Sequence, residues 1–549
     1  MSFNLTSSVQ FPYVKYINEL QVKEMLKGLK GFMKSNEKVT TFEGGKAYEL
    51  SFKEQVAEMF SLGLVKGNFY QSDMEVVENT KDIMKKALDE CPVWATKCAV
   101  YGQEFNSLKL IPVIWLVYLS TLKDDRHFES AFGRIITNPK MLHDFMTLTR
   151  KGGIRDGMGR RVKRAVNTWL NGRLNDYHAT RYKVKLQEVI KVARPIAVER
   201  VQPYMDYIIN GNENAFQRSS ALKKVIESLN EGELDLNVVG IIREFGLQLE
   251  ELKHTFGNLS NAQKKIIFEY MIPGLKYNAL ISNLVAIERV FATETRKVRK
   301  VSDHGVFDQL EVVKTNIPGE LKEMVSGILS NYEAYRKSRM LPFGLITANS
   351  MTVTSEWKNA INSVLVKSGK DVFDVHLNVG VRIGVDTSGS MTTKVTSSLS
   401  AVDIASLFGA MVYMSVKNAN VYATATFTKK VAVNSYDNLF DNAKRIAKTD
   451  VGYGTCFEPL LDDYMGEKFV VLITDGQQSD NLETRWANLR GRPAGSKLII
   501  WHVVGYNNKI SKRTDVVYLK GYSDRLLLIL KNIIENRAGQ LDQIEAVRL

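Results

Sequence analysis

The sequence of 549 residues has only three cysteines, and they follow no pairing pattern. Cys91 and Cys98 are seven residues apart, with neither a second pair nor a histidine beside them, and Cys456 stands alone. Extracellular disulfide frameworks use an even number of cysteines, and zinc sites need closely spaced ligand pairs. The cysteine content argues against both, and we therefore expect a reducing compartment, the cytoplasm.

Long apolar runs are also lacking. The most apolar stretch, residues 108–119, is interrupted by Lys109 and Pro112, and it is shorter than the roughly 20 residues that a membrane-spanning helix requires. The first ten residues are polar and do not show the charged-then-apolar pattern of a signal peptide. We therefore expect a soluble intracellular protein without a membrane partner, and we expect it to be a monomer.

Residue sets typical of enzymes are missing as well. The sequence has no Gly-x-x-x-x-Gly-Lys-[Ser/Thr] loop for nucleotide phosphates, and no Ser-His-Asp or Cys-His set is evident. Two of the seven histidines, His376 and His502, fall near predicted strands, where we interpret them as core or edge residues. We predict that the protein is not an enzyme and has no catalytic residues.

Basic residues, by contrast, are in excess. Lys and Arg together number 74 against 60 for Asp and Glu, which gives a formal net charge of +14 and a pI near 9.3. This balance favours a polyanionic partner, with nucleic acid as the first candidate and an anionic membrane surface as the second. The length predicts several domains, and an apolar content of 44% is enough to form their cores.

The first two thirds of the chain, residues 1–370, show the 3.6-residue period of amphipathic helices, and many segments stop shortly before a glycine or proline. They predict a domain of helical repeats, although no clean sequence period is found. Residues 38–50, which contain Gly44 and Gly45, predict a β-hairpin. The predicted helices are 52–62, 74–88, 107–121, 128–137, 141–149, 185–193, 215–229, 236–245, 261–271 and 319–336.

Residues 371–549 alternate strand-like and helical segments, which predicts a second domain with a mostly parallel, doubly wound α/β sheet. The predicted strands are 381–385, 421–427, 431–433, 469–473, 497–504 and 516–519, of which the second and third form a hairpin. The predicted helices are 397–416, 439–448, 457–465, 482–489 and 524–537.

Oxygen-bearing side chains follow two of these predicted strands. Asp386, Ser388 and Ser390 come directly after the first strand, and Asp475 follows the strand at 469–473. Thr455 lies in a glycine-rich loop between these two strands. Because ligands collect at the carboxyl ends of parallel strands, we expect these five residues to form one metal site. Hard oxygen donors suit Mg²⁺, with Ca²⁺ or Mn²⁺ as alternatives. The competing interpretation is a capped strand–helix turn without a metal.

A second constellation, at residues 150–164, is basic and rich in glycine. Glycines let backbone N–H groups approach phosphates, and arginines offer planar bidentate donors. Tyr177, His178 and Tyr182 add rings on which bases of single-stranded RNA could stack. The alternative is a solvated basic helix face. The candidate RNA-binding residues are Arg150, Lys151, Arg155, Arg160, Arg161, Lys163, Arg164, Arg173, Lys183 and Lys185, and a second cluster at 296–301 is either a further contact or a solvated loop.

The metal-site pattern is similar to the metal-ion-dependent adhesion site (MIDAS) of von Willebrand factor A domains. A basic helical region followed by such a domain resembles the TROVE-domain proteins, the Ro ribonucleoprotein family, and in particular their bacterial and phage relatives. Stretches at 157–170, 272–284 and 338–344 carry the same resemblance. It implies a ring of HEAT-like repeats (an α-solenoid) that is closed by the A domain.

The resemblance also implies a function. Relatives bind small Y RNAs on the outer surface and the ends of misfolded non-coding RNAs in the hole of the ring, and in bacteria the complex tethers an exoribonuclease. They carry a Trp-Ser-His stretch after the segment that corresponds to 183–185, and this chain has no counterpart to it. We therefore expect an RNA-binding scaffold in RNA quality control, stability or processing. The alternative is a metal-dependent protein-interaction module whose basic helical region is only an assembly surface.

Overall fold

The structure, a computed structural model, describes residues 38–63, 71, 73–123, 126–155, 157–231, 233–292, 317–340, 342–372, 380–395, 399–523, 525–535 and 539–549. Apart from a hairpin at its start, the described chain is helical up to Val372, and strands alternate with helices from Val381 onward. His376 and the basic cluster at 296–301 lie outside the described residues. Among the described helices, none combines the length and apolar composition of a membrane span.

The helical part begins new helices where the sequence supplies a cap. Asn138 and Asn175 each accept a backbone N–H of the first helical turn, and a proline follows Asn138 in the first helical position. The α-helices are Phe52–Leu62, Asp73–Glu90, Pro92–Glu104, Leu110–Leu119, Phe128–Ile135, Pro139–Lys151, Gly159–Arg173, Asp176–Arg181, Lys183–Ala193, Gln202–Met205, Gln217–Asn230, Leu236–Glu244, Leu249–Leu252, Asn261–Met271, Tyr277–Phe291, Gly319–Leu329, Tyr332–Ser338, Pro342–Met351 and Ser355–Val372.

Successive helices pack mainly against near neighbours in the chain. Phe52–Leu62 contacts Pro92–Glu104, which contacts Leu110–Leu119, and the contacts continue from there through Pro139–Lys151 to Lys183–Ala193. Buried apolar side chains from most of these helices join one continuous core. Stacking of this kind buries the apolar face of each helix against the next, which is the physical basis of helical-repeat architectures.

One predicted helix is wrong in its extent. Residues 319–336 form two helices, Gly319–Leu329 and Tyr332–Ser338. The break occurs at Asn331, whose side chain accepts the backbone N–H of Ala334 and so caps a new helix. The apolar period continues through this cap, which is why periodicity alone could not locate the break.

The α/β part is built on a six-stranded sheet. Its strands are β3 (Val381–Asp386), β4 (Ala419–Thr424), β5 (Thr428–Lys430), β6 (Phe469–Thr474), β7 (Lys497–His502) and β9 (Val516–Lys520). They are arranged in the order β5-β4-β3-β6-β7-β9, and all pairs are parallel except that of β5 with β4. Its α-helices are Ala401–Ser415, Leu439–Ala447, Leu482–Asn488, Leu526–Ile534 and Gln540–Glu545. The predicted parallel sheet with helical crossovers is therefore observed.

Alternate residues of the central strands enter two different cores. In β6, Val470 and Leu472 pack with Trp486 on one face, whereas Val471 and Ile473 join the larger core on the other. A strand that is buried on both faces must be apolar throughout, which explains the continuous apolar run at this position. The sheet is therefore a middle layer between two sets of helices.

Several predicted elements of this part differ in their bounds. The return strand of the hairpin is Thr428–Lys430 instead of 431–433, because Val451 accepts the N–H groups of Thr426 and Phe427 and fixes a tighter turn. The predicted helix 397–416 begins at Ala401, after a capping box formed by Ser400 and Asp403.

The predicted helix 457–465 is reduced to a 3₁₀ turn at Glu458–Leu461. The wholly buried guanidinium of Arg382 donates to the carbonyl oxygens of Leu460 and Asp463. A continuing α-helix would need these two carbonyls for its own hydrogen bonds.

The start of the described chain is joined to its end. The predicted hairpin forms β1 (Lys38–Thr40) and β2 (Lys46–Glu49), and β2 pairs with β8 (Asn508–Lys509) of the α/β part. The following helix, Phe52–Leu62, also packs on β9. There the buried carboxylate of Glu58 forms an ion pair with the buried ammonium of Lys520.

We predict that Glu58→Ala strongly destabilises the protein, by about 3–5 kcal/mol, because it leaves the ammonium of Lys520 buried without its partner. Urea denaturation followed by circular dichroism measures this loss. Glu227→Ala, which removes one partner of an exposed ion pair with Lys223, should change the unfolding free energy by less than about 1 kcal/mol. Equal losses in the two variants would contradict a special role for the buried pair.

Candidate metal centre and candidate nucleic-acid interface

The five predicted metal-site residues surround the carboxyl ends of β3 and β6. The chain leaves β3 toward β4 on one side and later returns to β6 on the other side. Neighbouring strands whose connections run in opposite directions leave a crevice at their carboxyl ends, where α/β proteins bind ligands. Asp386 is the last residue of β3, and Asp475 directly follows β6.

The loop after β3 folds back on its own carboxylate. The backbone N–H of Ser388 donates to Oδ1 of Asp386 at 2.9 Å, and the hydroxyl oxygens of Ser388 and Ser390 are 3.2 Å apart. All three side chains are almost completely buried. The alternate spacing of these residues therefore places one carboxylate and two hydroxyls on the same side of the loop.

The loop after β6 brings the second carboxylate to the first. The backbone N–H of Asp475 donates to the Asp386 carboxylate, and the Ser390 hydroxyl bonds the Asp475 carboxylate. Thr474, the last residue of β6, donates from Oγ1 to Oδ2 of Asp386 at 2.6 Å. The two strand ends are thus connected directly by hydrogen bonds.

Thr455 lies in the third loop, which contacts both of the others. The carbonyl oxygen of Tyr453 accepts the N–H of Gly389 at 3.1 Å, and that of Thr455 accepts the N–H of Ser479 at 2.8 Å. Gly452 has φ of +77°, a conformation that favours glycine, and a Cβ there would approach Oγ1 of Thr426 to 2.4 Å. The glycines of this loop therefore allow the close packing that places Thr455 between the other two loops.

Burial makes both carboxyl groups harder to ionise. Removal from water raises the pKa of Asp386 to about 6, although hydrogen bonds from Ser388 and Thr474 oppose the shift. Removal from water, together with the charge of Asp386, raises the pKa of Asp475 to about 7. Two adjacent buried carboxylates repel each other, and a bound cation would relieve this repulsion.

Two buried polar atoms suit a cation ligand set. Oγ1 of Thr455 and Oδ2 of Asp475 are buried and have no hydrogen-bond partner within the described part of the protein. Buried polar atoms are normally paired, and the whole donor set consists of carboxylate and hydroxyl oxygens. In the described ranges no cluster of three or more His, Cys, Asp and Glu side chains could hold a metal. The five residues fit a hard divalent cation.

The second predicted constellation surrounds a loop between two helices. Residues 152–158 connect Pro139–Lys151 to Gly159–Arg173, and Gly153, Gly157 and Gly159 have φ between +61° and +70°. Only glycine adopts this region readily, so the glycines define the path of the loop. Four cations, Arg150, Lys151, Arg160 and Lys163, are exposed next to it, and none has an ion-pair partner among the described residues.

Other predicted RNA-binding residues make internal contacts. Nη1 of Arg155 donates to the carbonyl and hydroxyl oxygens of Ser120, at 3.0 and 2.7 Å. Arg161 donates to the carbonyl of Leu119 at 3.0 Å and lies over the ring of Phe128. These half-buried guanidinium groups hold the loop against the preceding helices.

The remaining members of the predicted set fall between these two groups. Arg164 is exposed and pairs with Glu129, and the exposed Arg173 donates to the carbonyl of Ile136 at 3.1 Å. Lys183 lies over the ring of Tyr207 at 4.1 Å from its centroid. Lys185 is half-buried, one helical turn before Glu188 on the helix Lys183–Ala193. The structure thus divides the predicted set into surface cations and packing cations.

The aromatic residues that the sequence associates with this region pack on one another. His178 stacks on Trp169, with ring centroids 6.1 Å apart, and it also contacts Tyr177 and Tyr182. Burial lowers the pKa of His178, which favours its neutral form. Lys276, from a distant part of the sequence, lies over Tyr177. Trp169 is buried and the other three rings are half-buried, so together they make a polar and aromatic cluster.

Some site residues escaped the sequence analysis. Thr474 directly precedes the predicted ligand Asp475, but a hydroxyl on the last residue of a buried strand gives no sign of its partner. Gln477 and Gln478 are wholly buried next to Asp475, although glutamine usually lies at the surface. His502 is wholly buried behind this loop, and burial lowers its pKa well below the ordinary value. It occupies a core position, as the sequence analysis proposed.

We predict that Mg²⁺ stabilises the protein more at pH 8 than at pH 5.5. Without a cation, the contribution of Asp386 and Asp475 to stability falls as pH rises from about 4 through about 7, because their folded-state pKa values lie above the unfolded values. A cation requires both groups ionised, so its effect should grow across the same range. Thermal unfolding with and without MgCl₂ measures the difference.

Asp386→Asn keeps the shape of the side chain and removes one buried charge, so it should abolish the Mg²⁺-induced shift in Tm. Asp441→Asn, an exposed position of the same domain, should keep the shift. An Mg²⁺ effect that persists in Asp386→Asn, or one that is independent of pH, would place cation binding elsewhere.

Comparison with known proteins identifies the fold. No protein-family model matches the sequence, and no curated protein matches it. A crystal structure of the Ro (RSR) protein of Deinococcus radiodurans aligns with this structure at a TM-score of 0.59. The alignment covers 89% of this chain and 100% of that chain, with 14% sequence identity. The resemblance to Ro proteins inferred from the motifs is thus confirmed for the three-dimensional structure, and the protein has a Ro-like fold.

Proposed function

We propose that this protein is an RNA-binding scaffold of the Ro type. It would bind small structured non-coding RNA that has single-stranded ends, including Y-like RNA and the ends of misfolded RNA. It would act in RNA stability, quality control or processing and would catalyse no reaction itself. The helical part would form a ring of HEAT-like repeats, closed by the von Willebrand factor A-like domain.

The observation that carries this proposal is the surface around residues 152–158. Four exposed cations without ion-pair partners among the described residues flank a loop in which glycines leave the backbone accessible. Cations that are not neutralised by the protein are available to phosphates, and their binding releases counterions. The Ro-like fold supports the proposal, because the resemblance to Ro proteins implies RNA binding. The formal net charge of +14 adds long-range attraction for a polyanion.

The packing cations serve the same surface indirectly. Arg155 and Arg161 tie the loop to Ser120 and Leu119. Their substitution would therefore change the loop conformation as well as its charge. Arg160 and Lys163 are the sharper test because they contribute charge without these internal contacts.

The A-like domain would hold Mg²⁺ through Asp386, Ser388, Ser390, Thr455 and Asp475, with Ca²⁺ or Mn²⁺ as alternatives. When bound, the ion would supply a positive centre to which a carboxylate oxygen could bind. In the preferred proposal the domain completes the scaffold, and an exoribonuclease is a candidate partner in the cytoplasm.

The second candidate function is metal-dependent protein recognition, with the basic helices as an assembly surface. It is favoured by the unpartnered oxygens of Thr455 and Asp475 and by the exposure of Tyr453, which is 86% accessible in the same loop as Thr455. Exposed aromatic side chains are common anchors at protein interfaces. In this case the A-like domain would bind a carboxylate of a partner protein.

We predict that the double variant Arg160→Ala, Lys163→Ala binds structured RNA at least about tenfold more weakly at low salt, because two phosphate contacts are lost. Filter binding over a salt series should also show a shallower dependence of affinity on salt than in the wild type. Its melting temperature should be unchanged, since both side chains are exposed.

The matched control is Lys429→Ala, Lys430→Ala, which removes the same charge from two exposed residues of β5. This control should retain wild-type affinity. Equal losses of RNA affinity in both double variants would show that the effect comes from net charge alone. RNA binding that is absent or insensitive to salt would favour the protein-recognition function.

A further inference from the structure

Gln477 and Gln478, two and three residues after Asp475, connect the candidate metal site to the start of the described chain. Gln477 and Gln478 are both wholly buried. A buried amide group without hydrogen-bond partners is energetically unfavourable. The hydrogen bonds of these two glutamines therefore identify the residues that hold them in place. Most of the partners of these two side chains and of their backbone lie in residues 38–49, which we call the N-terminal hairpin.

Gln477 contacts three parts of the protein at once. Its backbone N–H donates to Oδ1 of Asp475 at 3.0 Å. Its side-chain Oε1 accepts the backbone N–H of Phe42 at 2.9 Å, and its Nε2 lies 3.4 Å from Oδ1 of Asn508 in β8. A single residue therefore joins a candidate metal ligand, through its backbone, to the turn of the hairpin and to the strand with which the hairpin pairs, through its side chain.

Gln478 fixes the same hairpin through its main chain. Its carbonyl oxygen accepts the N–H of Gly45 at 3.0 Å and the hydroxyl of Thr41, and its Nε2 donates to the carbonyl of Lys46 at 2.9 Å. The fit is close, since a Cβ on Gly45 would approach the Gln478 carbonyl oxygen to 2.2 Å. The hairpin can dock only while this loop keeps its present conformation.

The turn of the hairpin also brings a negative charge toward the site. Glu43 lies between Phe42 and Gly44, in the turn that Gln477 and Gln478 hold against the loop after Asp475. With the site empty, this charge adds to the repulsion between Asp386 and Asp475. With a cation bound, the same charge would attract the ion.

We propose that docking of the N-terminal hairpin and cation binding at Asp386 and Asp475 stabilise each other, with Gln477 as the positioning residue that couples them. A cation would hold Asp475 in place, and Asp475 would hold the backbone of Gln477, whose side chain receives Phe42. Linkage is reciprocal, so a docked hairpin raises cation affinity by the same factor by which the cation favours docking. The cation site thereby controls how firmly the N-terminal hairpin is attached to the A-like domain.

This coupling differs from a purely structural role of the hairpin. A hairpin that only covers the edge of the domain would affect stability without changing cation affinity. Coupling free energies between sites are typically about 1–3 kcal/mol, which corresponds to a change in affinity of about 5- to 150-fold. The distinction is therefore measurable.

The experiment uses the full chain with MgCl₂ as the only ligand. Gly45→Ala prevents docking by steric overlap and leaves all five candidate ligands intact. Gln477→Ala removes the coupling side chain but keeps the backbone N–H that bonds Asp475. Calorimetric titration gives the Mg²⁺ dissociation constant, and hydrogen–deuterium exchange of peptides from residues 38–49 reports docking.

The matched control is Gln540→Ala. Gln540 is another buried amide, which lies between the helix Phe52–Leu62 and the A-like domain. It donates to Ser61 and accepts from Lys520. These bonds lie outside the loop after Asp475. Gln540→Ala thus removes buried hydrogen bonds as Gln477→Ala does, but away from the cation site.

We expect Mg²⁺ to slow exchange at Phe42 and Gly45 in the wild type, and this effect should disappear in Asp386→Asn. Gly45→Ala and Gln477→Ala should each bind Mg²⁺ at least about fivefold more weakly, whereas Gln540→Ala should bind as the wild type does. Unchanged affinity in Gly45→Ala, exchange of the hairpin that does not respond to Mg²⁺, or no Mg²⁺ binding by the wild type would each overturn the proposal. None of these results depends on RNA, so the proposed RNA-binding function is tested separately.

Discussion

Two wholly buried carboxyl groups, those of Asp386 and Asp475, lie at the carboxyl ends of neighbouring strands and make ionisation of each other less favourable. The surroundings supply hydrogen-bond donors to this pair: hydroxyls from Ser388 and Thr474, and backbone N–H groups from the loops after β3 and β6. The raised pKa values show that these donors do not compensate fully for burial. A hard divalent cation would satisfy the remaining requirement, and the unpartnered oxygens of Thr455 and Asp475 are suited to it.

The same constraint extends to the beginning of the described chain. Since the loop after Asp475 is buried, its glutamines need partners, and the N-terminal hairpin provides them. The following helix adds the buried pair of Glu58 and Lys520 and hydrogen bonds from Tyr522 and Gln540. Polar contacts thus join the start of the described chain to residues that are far away in sequence. The geometry of such contacts is more specific than that of apolar packing.

The candidate RNA surface follows a different physical rule. It is not a buried site with a defined ligand geometry, and its affinity would come from cations that the protein leaves unneutralised. The structure separates these from arginines that stabilise the loop, such as Arg155 and Arg161. In the sequence both kinds occur in one basic run, because charge alone does not indicate which side of a helix a residue occupies.

The sequence by itself determined the elements and the candidate metal ligands. Periodicity and glycine or proline stop signals predicted Phe52–Leu62 and Asn261–Met271 with their observed bounds, since local interactions set helix ends. Asp386, Ser388, Ser390 and Asp475 could be named as candidate ligands because parallel strands bring their carboxyl ends to one edge. Both inferences use interactions that are local or that follow from strand direction.

Tertiary structure alone decided the break at Asn331, the shortened turn at Glu458–Leu461 and the partners of Gln477. Each depends on a contact across many residues or on a cap that the apolar period does not reveal: Arg382 reaches the carbonyls of Leu460 and Asp463, and Phe42 reaches a glutamine more than 400 positions later. A sequence shows which groups need partners. Only the folded chain shows which partners come within hydrogen-bonding distance.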